Sequence, residues 1–305
     1  MRSSLARWAL GWLLVASAAR AVIIAGSDGT INTTAPGDDP GWANVGSSGV
    51  YLGSHGGGFW VLTATHLGAG SITFSSGTYA AVPGSALTIR NSNGTPTDLL
   101  LFRIAADPGL PSLTLASAAP AAGSTVVMIG DGANRAAAQS FWSVNTNGNS
   151  SGSTSGAAWT WQALPDSTGA NASGYAWGSG STKRWGTNQI DGTTTYDIGT
   201  GSTTAFYTDF DAVTGEAQGA TGDSGGAVFF KNGARWELAG ILGAVGTYNN
   251  QPASTAVFGD VTYVASVPAY YSTIMTAIPE PAEASAVVGC AMLALVVWRR
   301  RACRR

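Results

Sequence analysis

Short apolar runs broken by glycine turns recur along this 305-residue chain, and they constrain the fold more than any other feature. Runs such as "FWVLT", "DLLLF" and "AVFF" have strand length rather than helix length. They predict strands near 59–65, 71–75, 99–104, 124–129, 225–230 and 236–242. One helix is expected near 269–277, where Tyr271, Ile274, Met275 and Ile278 fall at helical spacing. Glycine supplies 42 residues, enough for the many turns that short strands need. No period of roughly 20 to 50 residues repeats, which excludes a solenoid or propeller. An all-β barrel or sandwich architecture follows. The Gly-, Ser-, Thr- and Asn-rich stretch 145–204 reads as a loop-like insert, longer than a compact domain carries without a role. Solvated decoration is the expectation for it, ahead of a wall of a substrate cleft.

Charge separates the ends from the body. Three arginines lie in the first 21 residues and five in the last seven. Residues 22–277 keep seven bases against 15 acids, a net charge of about −8. Such a body offers no basic face to a phosphate backbone, so nucleic-acid binding is excluded. The start, "MRSSLARWALGWLLVASAARA", combines a basic beginning, an apolar stretch and a small-residue site at Ala19-Arg20-Ala21. That is the layout of a signal peptide over residues 1–21, implying export and cleavage by signal peptidase.

The other end, residues 278–305, places Pro279-Glu280-Pro281 before an uncharged run from Ala284 to Trp298 and an arginine-rich tail. Arginines flanking an apolar span can snorkel and mark the cytoplasmic side, which makes this a membrane helix. Triplet, span and tail together resemble a PEP-CTERM sorting signal. The resemblance implies a bacterial protein anchored transiently in the inner membrane, handled by an exosortase-type system and passed to the cell surface or matrix. Cys290 and Cys303 are the only cysteines and both lie in this tail, so the body, residues 22–277, is held without disulfides.

Three residues of the body carry chemistry. His66 closes "GGGFWVLTATH" at a strand end, whereas His55 sits in the glycine turn "GSHGGG", where solvation explains it. Asp98 stands immediately before the apolar strand "LLLFRI". A carboxylate there costs several kcal/mol unless a partner compensates it, and an imidazole N–H is such a partner. That pairing fixes the tautomer that leaves the other ring nitrogen free as a base. Ser224 lies in "TGDSGG". A serine hydroxyl needs a base to become a nucleophile. The surrounding glycines let the N–H groups of Gly222 and Ser224 converge on a developing oxyanion. No His/Cys cluster and no H-E-x-x-H occurs, so neither a metal nor another cofactor is called for.

The order His66, Asp98, Ser224 is that of the chymotrypsin class. "TATH", "DLLLF" and "GDSGG" resemble the three catalytic blocks of trypsin/chymotrypsin-like (S1) serine proteases, and GDSGG is the most specific of them. "STVVMIGDGANR" is similar to the strand and turn that carry G-W-G there, with Asp131 in place of the Trp. "GILGAV" resembles the specificity-pocket wall, and "VTYVASVPAYYSTIMTAI" the closing strand and C-terminal helix. The likeness runs from about Val22 to Ile278. It implies two six-stranded antiparallel barrels with a triad between them, hydrolysing peptide bonds of a protein or peptide substrate through an acyl-enzyme.

The same resemblance implies a role for Asp223, the acid before the nucleophile: partner to a newly made N-terminal ammonium. Cleavage after Ala21 would expose Val22 at the head of "VIIAG", similar to the family's I-V-G-G start. Gln218, six residues before Ser224, stands where trypsin-type enzymes hold an Asp, and Gly243 lies in the pocket wall; Glu216 is the alternative floor residue. Arg/Lys specificity is therefore not expected. The rival reading is a catalytically idle binding or adhesion module on a protease fold, which would need neither triad nor GDSGG.

Overall fold

The computed structural model describes residues 22–148 and 158–278, and these form an all-β molecule closed by one short helix. The expected signal peptide lies outside the described residues, as does the sorting segment from Pro279 onward. Among the described residues no helix is long and apolar enough to cross a membrane.

Five antiparallel strands build the first sheet, in the order Val45–Gly46, Gly49–His55, Gly58–Thr63, Pro96–Ile104, Leu87–Arg90. A hairpin of Ile72–Phe74 and Gly77–Tyr79 lies beside it. Seven strands build the second sheet: Arg184–Gln189, Thr125–Gly130, Ala227–Asn232, Arg235–Gly246, Val261–Ser266, Thr203–Asp209 and Gly192–Tyr196. Its two edge strands follow each other in sequence, joined only through Ile190 and Asp191. So short a link has little reach, and the sheet must curl to bring its edges together there. The all-β expectation holds, and the described strands pair in sheets of five, two and seven, with a further five-stranded sheet and the pair Ile23–Ile24 with Ala217–Gln218.

The continuous apolar run in Pro96–Ile104 has a physical cause. Leu99 and Leu101 enter the large core that also holds Ile129, Phe229, Leu238 and Ile241 of the second sheet. Leu100, Phe102 and Ile104 enter a separate cluster with Tyr51, Val61, Ile72 and Phe74. A strand buried on both faces has no polar alternation to show. Because the large core draws on both sheets, it fixes one against the other and sets the cleft between them.

The described residues of the stretch 145–204 do not form a loop. They contain the strands Thr160–Leu164, Ala172–Ser181, Arg184–Gln189 and Gly192–Tyr196. Two of these lie in the seven-stranded sheet, and the other two join Ala133–Arg135, Ser140–Asn145 and Thr255–Val257 in a further sheet. Threonines and aromatics favour a pleated backbone even among glycines and serines, and composition hid that preference. At the other end, a 3-10 turn, Pro268–Tyr270, leads into the helix Tyr271–Ala277. Ile274 and Ile278 are buried as the spacing required, but Met275 is exposed.

The chain from Val22 is drawn deep into the body. Val22 and Ile24 pack with Met128 and Leu242, while Ile23 and Ala25 face Tyr175 and Phe210. Arg135 clamps this segment. Its guanidinium donates to the carbonyls of Ile24 (2.8 Å), Gly26 and Ser27 (2.9 Å), and to those of Ala136 and Ala137, and it lies 3.8 Å over the Tyr175 ring. Hydrogen bonds to a charged donor are worth roughly 1.5–3 kcal/mol each, and several are lost together if it is removed. Arg135→Met is therefore expected to lower stability by at least about 2 kcal/mol. Urea denaturation measures it, and an unchanged midpoint would show that the clamp contributes nothing.

Candidate active site

His66 sits in the 3-10 turn Thr65–Leu67, directly after the strand Gly58–Thr63, so the strand's end aims the turn. The Thr65 hydroxyl donates to the Thr97 carbonyl (2.9 Å) and fastens the turn to the neighbouring strand. Asp98 is the third residue of that strand, Pro96–Ile104, which begins two residues before the acid rather than after it. Asp98 is wholly buried. Its Oδ1 accepts the His66 backbone N–H at 3.0 Å, and both carboxylate oxygens lie 3.0 Å from His66 Nδ1. A carboxylate only accepts, so Nδ1 carries a proton, and in the neutral ring Nε2 is then the acceptor. The Asp98 N–H donates to the Thr203 hydroxyl at 2.7 Å, which fixes the acid's backbone. Tyr196, which no sequence signal marked, donates its hydroxyl to Asp98 Oδ2 at 3.0 Å.

Ser224 lies in the loop that precedes the strand Ala227–Asn232. Gly225 next to it adopts φ +82°, and a Cβ there would stand 2.6 Å from the Ser48 carbonyl and 2.9 Å from Thr63 Oγ1. Only glycine permits both that conformation and that approach. The contact seats the Ser224 loop against the end of the strand that leads to His66. The Ser224 hydroxyl donates to the Gly243 carbonyl over a long 3.4 Å. Among the described residues no hydrogen bond joins Ser224 to His66. Within Gly222–Gly226 the N–H groups of Asp223, Gly225 and Gly226 are spent on the carbonyls of Ala220, Leu242 and Asp223. Those of Gly222 and Ser224 form no hydrogen bond among the described residues. These are the two donors nominated for an oxyanion.

Asp223 is buried, and it is held by backbone alone. Oδ1 accepts the Gly132 N–H at 2.6 Å and Oδ2 the Ala220 N–H at 2.7 Å. Burial pushes its pKa up to about 8, against the pull of those two bonds and of the Arg184 guanidinium. A Cβ on Gly130 would overlap Asp223 Oδ1 and stand 3.0 Å from Val22 Cγ1, so the Val22 side chain and this carboxyl share one spot. Asp131 beside it is raised by burial and drawn back by Lys183. Lys183 donates to the carbonyls of Trp42 and Val45, and burial lowers its pKa to about 8.

A cavity of about 240 Å³ opens beside Ser224, walled by residues 219–224, residues 242–245, Thr262 and Ile198. Gly243 lies in this wall. Gln218 lies behind it, buried, with its amide oxygen accepting the Thr262 hydroxyl at 2.9 Å. Glu216 is not the floor. It lines a separate cavity with Asp191 and Asp211, and burial together with Asp211 raises its pKa to about 7.

No family model matches the chain, and no curated protein matches it. Solved structures do. A serine-to-alanine mutant of Rv3671c from M. tuberculosis, in its inactive form, is 14% identical over 84% of this chain and 96% of its own, with a TM-score of 0.42. The active form of the Rv3671c protease is 15% identical over 76% and 74%, with a TM-score of 0.40. The murine norovirus NS6 protease is 15% identical over 74% and 92%, with a TM-score of 0.39. Likeness at this level leaves any functional reading to rest on the site's own geometry.

Proposed function

We propose that the chain is an exported serine endopeptidase of chymotrypsin-like fold, with Ser224 as nucleophile, His66 as base and Asp98 as its orienter. The observation that carries this reading is the buried Asp98 carboxylate held on His66 Nδ1, which leaves Nε2 as an acceptor. In this scheme Nε2 takes the Ser224 proton as Oγ attacks a peptide carbonyl, and the free N–H groups of Gly222 and Ser224 receive the oxyanion. The same proton passes to the leaving amine as the acyl-enzyme forms, and water then releases the acid. The residues at both ends direct export and sorting in this reading. Ser224→Ala and His66→Ala are each expected to lower turnover by several powers of ten, without compounding in the double variant. Labelling with a fluorophosphonate reads the nucleophile directly. Labelling of Ser224→Ala as strong as wild type would overturn the assignment in favour of a binding module.

The cavity beside Ser224 is where the side chain before the cut bond enters in this scheme. Among the described residues that wall it, Asp223 alone is ionisable, and its oxygens are already taken by backbone donors. Thr262 Cγ2 and Val245 Cγ1 stand 3.0 and 3.3 Å from where a Cβ on Gly219 would be, and they narrow the cavity. Small neutral side chains such as Ala or Val are expected before the scissile bond, with Lys, Arg and Phe disfavoured. Val245→Gly should raise kcat/KM for a Phe substrate about tenfold or more relative to an Ala substrate. Peptide libraries measure this, and a basic preference in the wild type would contradict it.

Asp223 pairs, in this reading, with the amine of Val22 once the chain begins there. A carboxyl whose folded pKa is about 8, against about 3.9 when unfolded, binds its proton more tightly in the folded state. Its stability contribution is full below about pH 4 and declines as pH rises to about 8. An adjacent ammonium lowers that pKa and removes the decline. Urea midpoints between pH 5 and 8 should fall for the form extended before Val22. They should fall less for the form beginning at Val22, and less for Asp223→Asn of the extended form. Glu216 and Asp260, also raised, are common to all three and cancel. Equal pH dependence in the two lengths would exclude the pair.

A further inference from the structure

Tyr196 ends the strand Gly192–Tyr196 of the seven-stranded sheet and is buried. Its ring stacks on Tyr263 with centroids 6.0 Å apart and planes at 26°. Among the described residues its hydroxyl makes one hydrogen bond, to Asp98 Oδ2 at 3.0 Å. Burial raises the phenol's pKa, and the Asp98 charge raises it further, so the hydroxyl keeps its proton and is the donor. The groups that face it are Asp98, Tyr263 and Tyr270, and Asp98 in turn faces His66.

The same hydroxyl occupies the space in front of Gly243. A Cβ on Gly243 would overlap the Tyr196 hydroxyl oxygen, and Cζ would follow at 2.6 Å. Gly243 is also the residue whose carbonyl accepts the Ser224 hydroxyl. One phenol thus stands between the acid that orients His66 and the backbone that holds Ser224. The two sheets meet in this contact, since Asp98 belongs to the first and Tyr196 and Gly243 to the second.

We propose that Tyr196 is a positioning residue of the active site: its hydroxyl holds Asp98 Oδ2, and Gly243 lacks a side chain so that this hydroxyl can fit. The proposal rests on the reading of Ser224, His66 and Asp98 as a hydrolytic triad. With the phenol in place, part of the carboxylate's charge is taken up by a donor other than the imidazole, and the carboxylate is fixed in the plane that His66 needs. Without it, Asp98 gains freedom to rotate, and more of its charge faces the imidazole.

Tyr196→Phe keeps the ring and its stack on Tyr263 and removes only the donor. A hydrogen bond to a charged group is worth about tenfold or more in an equilibrium. Tyr196→Phe is therefore expected to lower kcat about tenfold with KM little changed. The acid limb of the pH–rate profile should move upward, because an imidazolium facing more negative charge holds its proton longer. The low-field NMR resonance of the His66 Nδ1 proton should move as well. Gly243→Ala, which displaces the hydroxyl while keeping the tyrosine, should produce the same three changes and reads alone if the Phe variant does not fold. Wild-type kcat and an unmoved acid limb in a folded Tyr196→Phe would overturn the proposal. If fluorophosphonate does not label wild-type Ser224, the hydrolase reading fails, but the Nδ1 resonance still decides the coupling of Tyr196 to His66. A resonance unmoved by either variant would refute that coupling whatever the activity.

Discussion

A carboxylate buried without a Lys or Arg partner sits where the two sheets meet, and the placement of the candidate site depends on how it is compensated. Asp98 is fully buried, and leaving such a group without donors would cost several kcal/mol. The compensation comes from the His66 backbone N–H, the His66 ring and the Tyr196 hydroxyl. Two of these belong to a turn at the end of a first-sheet strand, and the third to an edge strand of the second sheet. Moving either sheet relative to the other would strand the carboxylate, so the cost of an unpaired charge acts as a restraint on the cleft itself.

The second buried acid is compensated differently, and the contrast is informative. Asp223 receives only two backbone N–H groups, and burial outweighs them, so its pKa rises to about 8. Arg184 acts on it only through space, and it spends its own Nη1 on the Asn134 side chain. A group poised in this way responds strongly to any positive charge brought alongside. The Val22 side chain lies at that spot, drawn there by strand pairing and by the Arg135 clamp. The loop that carries Ser224 runs through Asp223. Whatever charge the Val22 position carries is therefore felt at the two free N–H groups on either side of the acid.

Legibility in the sequence followed the range of the forces involved. The His66, Asp98 and GDSGG blocks were readable because each needs particular residues in consecutive positions, for a strand end, a buried acid and a tight turn. The six strands expected from the sequence lie within a few residues of observed ones, while others such as Gly49–His55 and Leu87–Arg90 were not foreseen, and the run in Pro96–Ile104 was clear because both of its faces are buried. Tyr196 was not readable. It lies in "DGTTTYDIG", where composition suggests a loop, and its partner Asp98 is 98 residues away. Nothing local distinguishes a tyrosine that will meet a distant carboxylate from one that will not. Glu216 misled for the related reason that spacing from Ser224 says nothing about which side of a short strand faces the cavity. The insert misled because glycine and serine mark turns and wide strands alike.

The Ser224 hydroxyl is held loosely, whereas its backbone is held firmly. The Gly243 carbonyl holds the hydroxyl at 3.4 Å, near the outer limit of a hydrogen bond and weak accordingly. The backbone, in contrast, is fixed by Gly225 against Ser48 and Thr63, by the Gly225 N–H on Leu242 and by Asp223 below. The hydroxyl itself turns about one side-chain bond, whose staggered wells interconvert readily. Catalytic hydrogen bonds are often long before substrate binds, so under the proposed reading a weak contact in the free protein is no obstacle. The weak bond to Gly243 is thus suited to a resting state: it satisfies the hydroxyl while leaving it cheap to turn.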